Sequence, residues 1–261
     1  MKFSNIFSFF KRNKKKVDIL DYKTAIDYII NNEVSISRYG DGEFFLIMDR
    51  DIPFQTASPK LKERLIEVLT SENPNLLVGV SKVMFHDDEN AVPFVRDFHK
   101  NFRRKKLKKI MPYIKESKTY IPTEISSLYQ TLYNEKFNFE EYFDNIKNIW
   151  KNKDITIICG ENTFKNITNN IFDCAKSVEY IYAPSKNAFD EYETLLSEYK
   201  KLDKSRLLII ILGPTATVLA YDLQREGFRV LDFGHIAKDY DSFLKKKGKN
   251  EEDIAKFMEA D

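Results

Sequence analysis

The feature that most constrains the fold is a series of apolar, β-branched runs in the second half of the chain, each closed by glycine or small polar residues. Ile155 to Cys159 ends in Gly160-Glu161, and Val178 to Ala183 ends in Pro184-Ser185-Lys186-Asn187 ahead of a helical stretch from Phe189 to Tyr199. Arg206 to Leu212, the most apolar of all, ends in Gly213-Pro214-Thr215. Ala216 to Glu226 then reads as a helix stopped by Gly227, and Phe228 to Leu231 ends in Asp232-Phe233-Gly234-His235. Strands without a polar face have no side to give to water, so they belong inside a sheet covered on both faces. Strands alternating with helices make that sheet mostly parallel, so the expected class is α/β with helices on both faces.

The first half fits the same class. Ala25, Ile26, Ile29 and Ile30 keep helical spacing, and Val34, Ile36 and Arg38 alternate with serines in a short strand that runs into Gly40-Asp41-Gly42-Glu43. Ser58-Pro59 supplies a cap and a first-turn proline for a helix through Leu61, Leu65, Val68 and Leu69. Leu76 to Val80 reads as a buried strand. Residues 81 to 150 show helical pieces near 91–109, 124–133 and 139–149 without a strand rhythm, and are expected to form a mainly helical insertion. The 261 residues, 43% apolar and 14% aromatic, can bury a sizeable core. The expected organisation is one domain over 17–261 behind a basic and apolar segment, 1–16.

No apolar run approaches the roughly 20 residues that cross a bilayer. In residues 1–16 the apolar part precedes the basic part, the reverse of a secretory signal, so the expected location is the cytoplasm. Phe3, Ile6, Phe7, Phe9 and Phe10 followed by Lys11, Arg12 and Lys14 to Lys16 also suit peripheral contact with an anionic inner membrane face. Cys159 and Cys174 lack the spacing of a zinc or disulfide framework and read as buried thiols. Net charge is +2, yet residues 1–16 and Arg103 to Lys109 each carry six positive charges and no acid, leaving about −10 elsewhere. Residues 1–16 read equally as a disordered tail, while Arg103 to Lys109, without the fold signature of a nucleic-acid module, reads as a solvated helix face, and no nucleic-acid partner is expected.

In parallel sheets ligands bind beyond the carboxyl ends of the strands. Right-handed crossovers bring five loops to one edge: Arg38 to Glu43, Gly160-Glu161, Ser185 to Asn187, Gly213 to Thr215, and Asp232 to His235. Asp41 and Glu43, separated by one glycine, are hard oxygen donors of the kind that hold Mg²⁺ or Mn²⁺ with a diphosphate, although the same residues also read as a turn and helix cap. Arg38 can pair with a phosphate. Thr215 and the first N–H groups of the following helix can hold another, while no Walker A or G-x-G-x-x-G motif is present. His235 can donate to a phosphate or leaving group. His86-Asp87-Asp88-Glu89 reads as a solvated loop, since four consecutive residues rarely face one ion.

Four segments, Arg38-Tyr39-Gly40-Asp41-Gly42-Glu43-Phe44, Pro184 to Phe189, Gly213-Pro214-Thr215-Ala216-Thr217 through Leu223, and Asp232 to Ile236, resemble in order the GT-D-fold glycosyltransferases of bacteria. The resemblance implies a Rossmann-like enzyme that moves a sugar from a nucleotide sugar, a UDP-hexose, to a glycan acceptor on protein or lipid-linked saccharide. Asp41 and Glu43 match the family's D-x-E and would engage Mn²⁺ or Mg²⁺. Arg38, Ser185, Lys186, Asn187, Gly213, Pro214, Thr215 and His235 would contact nucleotide or phosphate. Glu161, on the same edge, is the candidate base for an inverting reaction. Asn162-Thr163-Phe164-Lys165 departs from the family's pattern, as does the stretch 119–128. Two other classes share parts of this sequence: a non-catalytic nucleotide- or nucleic-acid-binding module and a metal-dependent phosphohydrolase.

Overall fold

The structure is a computed structural model that describes residues 17–133 and 135–258. The first half runs β1 (Asp18–Ile19), α1 (Tyr22–Asn32), β2 (Ser35–Tyr39), α2 (Asp41–Ile47), α3 (Pro59–Thr70) and β3 (Leu76–Val80). The middle adds α4 (Lys82–Phe85), α5 (Pro93–Lys105), α6 (Leu107–Ile110), β4 (Thr119–Pro122), α7 (Leu128–Thr131) and α8 (Phe139–Lys147). The remainder is β5 (Asp154–Cys159), β6 (Ser177–Tyr182), α9 (Tyr192–Tyr199), β7 (Leu207–Ile211), α10 (Pro214–Arg225), β8 (Val230–Asp232), α11 (Ile236–Leu244) and α12 (Glu251–Met258). The eight strands form one sheet in the order β1-β4-β3-β2-β8-β7-β5-β6, and every pairing is parallel.

The apolar strands are dressed on both sides, as their composition requires. Along β7, Leu208 and Ile210 pack into the core under α3, α9 and α10, while Leu207 and Ile209 face the other core, shared with α1, α8 and Trp150. Caps set the helix starts: the Ser58 hydroxyl accepts from the Leu61 N–H at 3.2 Å with Pro59 in the first turn. Gly227, at φ 90°, turns the chain out of α10 toward β8.

Residues 81–150 are only partly what their pattern suggests. Helices dominate, but Thr119–Pro122 is a sheet strand, pairing with β3 through Ile121 and Pro122 and with β1 through Thr119 and Tyr120. Four residues ending in proline are too few to show an alternation, and the two-residue β1 shows none at all. The region therefore builds one flank of the sheet. Arg103, within the basic run, turns inward: its guanidinium donates to the carbonyls of Val83 and His86 and pairs with Asp87 at 2.8 Å. Cys159 is buried and Cys174 half-buried, and neither is in a disulfide. Among the described residues no helix is long and apolar enough to cross a membrane. The segment proposed for membrane contact, 1–16, lies outside the described residues.

Candidate active site

The chain runs from β2 to β3 and β4 on one side, then returns on the other side through β5 to β8, so the sheet has its switch point between β2 and β8. A ligand crevice is expected there, and a cavity of about 600 Å³ opens at that place. Its centre is held by Arg38, Asp41 and Glu43 after β2 and by Asp232, Gly234 and His235 after β8. One arm extends past Leu212 and Gly213, Gly160 and Ser185, at the ends of β7, β5 and β6. The other passes Ser81 and Glu124, at the ends of β3 and β4, to a wall made by α5 and α12.

At the centre, Arg38 is tied to Asp232. Its Nε donates to the Asp232 carbonyl at 2.6 Å and Nη2 to Oδ1 at 3.0 Å, while Nη1 reaches the Thr123 carbonyl at 3.2 Å. Three of the five guanidinium donors are thus engaged within the protein, so Arg38 braces β2, β4 and β8 while it also lines the cavity. Gly234 permits this, because a Cβ there would collide with the Arg38 Nη2. Thr217, inside α10, ties its hydroxyl to both the Arg38 carbonyl at 3.0 Å and Asp232 at 3.2 Å, and the Ser37 hydroxyl donates to the Thr217 carbonyl at 2.8 Å.

Asp41 and Glu43 stand on the first turn of α2. Glu43 Oε2 accepts from the Gly40 N–H at 2.7 Å, so Glu43 rather than Asp41 closes the helix start. Burial pushes the Glu43 carboxyl up to about 7, with the negative charge of Asp232 adding to it, and burial also raises Asp41. His235 packs its ring 5.1 Å from that of Phe257, and burial, with Lys238 and Arg38 nearby, drives its pKa down to about 3. It is therefore a neutral imidazole, a hydrogen-bonding group and not a cation.

The other expected residues divide. Ser185 and Gly213 line the cavity. Gly213 adopts φ 50°, a conformation side chains rarely take, and a Cβ there would meet the Phe54 ring at 2.9 Å. Asn187 lies behind the lining: its N–H donates to the Phe54 carbonyl at 2.8 Å and its Oδ1 accepts from Thr56 at 2.8 Å, which fixes the 51–57 loop against Gly213. Pro214 and Thr215 are buried in the first turn of α10, Lys186 is exposed, and Glu161 is exposed and outside the lining. Sequence reasoning missed Glu124, 4% exposed, whose carboxylate accepts from the Ser81 hydroxyl at 2.6 Å and the Lys82 N–H at 3.1 Å. Burial raises its pKa too.

Residues 36–257 match the family model of the glycosyltransferase GT-D fold. The chain belongs to the GT-D-fold glycosyltransferase family. Within it, the chain is 33% identical over 231 residues to a probable glycosyl transferase Gly of Streptococcus gordonii, covering 88% of this chain and 33% of the relative. It is 31% identical to the glycosyltransferase GlyD of Streptococcus pneumoniae, over 87% of this chain and 28% of that protein. The chain thus spans about a third of the length of the curated relatives it matches. Among solved structures, a glycosyltransferase from Streptococcus sanguinis superposes with a TM-score of 0.84 at 32% identity, covering 90% of this chain and 87% of that one. A second GT-D structure, described as a distinct glycosyltransferase fold, gives 0.83 at 29% identity over 95% of this chain and 92% of that one. Asp41 and Glu43 of this GT-D chain sit at the sheet's switch point, lining the cavity from the side of β2.

Proposed function

We propose that the chain transfers a hexose from a UDP-sugar to a hydroxyl of a glycan acceptor, with Mn²⁺ or Mg²⁺ bound by Asp41 and Glu43. One observation carries this reading: the cavity is lined by five carboxylates, Asp41, Glu43, Asp51, Glu124 and Asp232, against three cationic side chains, Arg38, Arg50 and Lys238. Arg38 is already engaged with Asp232, so a diphosphate entering here needs a cation to come with it. Among the described residues no three His, Cys, Asp or Glu side chains form a metal cage. A carboxylate pair whose remaining positions are filled by phosphate and water is the usual arrangement for Mg²⁺, so the donor set fits. Such an ion would neutralise charge developing on the leaving diphosphate.

The chain's own groups then have separate tasks. Gly213, at the start of the twelve-residue α10, offers close backbone approach and the positive end of a helix dipole to the nucleotide side. Ser185 and neutral His235 contribute hydrogen bonds, and Lys186, at the rim, adds charge that screening weakens. Pro214 and Thr215 are buried in the first turn of α10, where the Thr215 hydroxyl has no hydrogen-bond partner among the described residues. If the transfer inverts the anomeric carbon, the acceptor proton must go to a carboxylate, and Glu124, which lines the cavity, suits that task better than the exposed Glu161.

The test is release of UDP from UDP-glucose and UDP-galactose with Mn²⁺ or EDTA, with and without a glycan acceptor. Acceptor-dependent release that EDTA abolishes supports the proposal. Inorganic phosphate from simple phosphoesters would instead favour the phosphohydrolase.

A further inference from the structure

The two arms of the cavity differ in chemistry. On the β5–β7 side the lining is the small residues Gly160, Thr163, Ser185 and Gly213 with Leu212 and the Phe54 ring. On the β3–β4 side, beyond Glu124, α5 presents Phe94 and Phe98, 37% and 38% exposed despite being large aromatics. His99 follows, only 9% exposed, with its Nδ1 buried and without a partner and no hydrogen bond among the described residues. The Phe98 and His99 rings stand edge to face at 5.2 Å. Burial, with Arg103 adding to it, lowers the His99 pKa to about 4, so the ring is neutral and offers one donor and one acceptor.

An anion is a poor occupant for this arm. The Glu124 carboxylate lines the cavity at the end of β4, Arg50 stacks on the Phe45 ring, and Arg103 donates to Val83, His86 and Asp87. A neutral ring with an apolar face and hydroxyl edges fits both the exposed aromatics and the unsatisfied imidazole, because sites of this type combine aromatic walls with a few placed polar groups. We propose that the α5 arm is the acceptor subsite and takes a neutral pyranose, stacked on Phe94 and Phe98 and hydrogen-bonded by His99. This rests on the transferase reading: the donor fills the β5–β7 arm, and the sugar is passed across the Asp41–Glu43 centre. The reacting hydroxyl then lies on the Glu124 side. His99 acts here as a specificity residue, since a buried polar group left unpaired by the wrong acceptor penalises it.

The experiment is saturation-transfer NMR of the full chain with methyl β-glucopyranoside, methyl β-galactopyranoside and methyl N-acetyl-β-glucosaminide, with and without UDP and Mn²⁺. The variants are Phe94→Ala/Phe98→Ala, Phe98→Tyr and His99→Leu, and UDP titration of each serves as the control. The expected result is contact with at least one pyranoside, weakened tenfold or more in Phe94→Ala/Phe98→Ala and His99→Leu, retained in Phe98→Tyr, with UDP affinity unchanged. Pyranoside contact unaltered by these substitutions, or none in the wild-type chain, overturns the proposal, as does loss of UDP binding on changing α5. If the wild-type chain binds pyranosides at α5 but no nucleotide under any metal condition, the transferase reading fails while the saccharide subsite stands.

Discussion

The β5–β7 arm and the α5 arm meet at the same pair of carboxylates yet are built in opposite ways. The first is made of strand-to-helix loops, where Gly213 at φ 50° and Gly160 leave room for the Phe54 ring and the Ser185 side chain to pack against them along the lining. The second is made of side chains on helices outside the sheet, Phe94, Phe98 and His99 on α5 and Met258 on α12. A charged, shared chemical group such as a diphosphate is best held by backbone and ions. A variable acceptor is best read by side chains that can change without disturbing the sheet.

The largest expected effect lies at the centre, where both arms depend on the same residues. Asp41→Ala/Glu43→Ala should lower sugar transfer by about a thousandfold or more by analogy with loss of a main electrostatic stabiliser, measured as UDP release. Near-normal, metal-dependent turnover in that variant would sink the assignment. On the α5 side, Glu124→Gln keeps an oxygen for Ser81 and Lys82 but cannot accept a proton. Transfer should fall about a hundredfold with UDP binding intact, within the range for general bases. Equal turnover by this variant would remove Glu124 from the chemistry.

Gly213→Ala tests the other arm. The substituted residue must keep a backbone conformation costing about 1–3 kcal/mol and push against Phe54. Lower thermal stability and weaker UDP binding should appear together, and pyranoside contact at α5 should be unaffected; the reverse pattern would exchange the roles of the arms.

These contrasts also explain what could be read from the sequence. The parallel sheet, its order of strands and helices in the second half, and the loops at its carboxyl edge follow from apolar runs broken by glycine and polar residues, a local signal. The β5–β7 arm was legible for that reason. Thr119–Pro122 is short and ends in proline, so it hid among helices, and with it Glu124, whose place is set only by its pairing beside β3. Phe94, Phe98 and His99 sit on an amphipathic helix, where nothing local separates residues facing a cavity from residues facing a core. Arg38 and Glu161 show a different limit: being near a strand end says which edge a side chain occupies, but the bonds of Arg38 to Asp232 and the exposure of Glu161 are tertiary facts.

The smallest effect is pH dependence. The Glu43 carboxyl lies near 7 in the folded chain against 4.5 in the unfolded one, so the folded state holds the proton more tightly. Its contribution to stability is therefore greatest at low pH and is lost as pH rises through about 4.5 to 7. The ionised form is the one that binds a cation, so metal-dependent UDP affinity should rise about tenfold from pH 6 to pH 8, following the ionised fraction of one group with that pKa. Glu43→Gln should flatten this rise, and a rise unchanged in that variant would place the titration elsewhere.

The most direct measurement of the central claim is calorimetric titration of UDP, with and without Mn²⁺, into the wild-type chain and the Asp41→Ala/Glu43→Ala variant. The account predicts UDP binding that requires Mn²⁺ in the first and disappears in the second. UDP bound equally well without metal, or equally well by the variant, would contradict it.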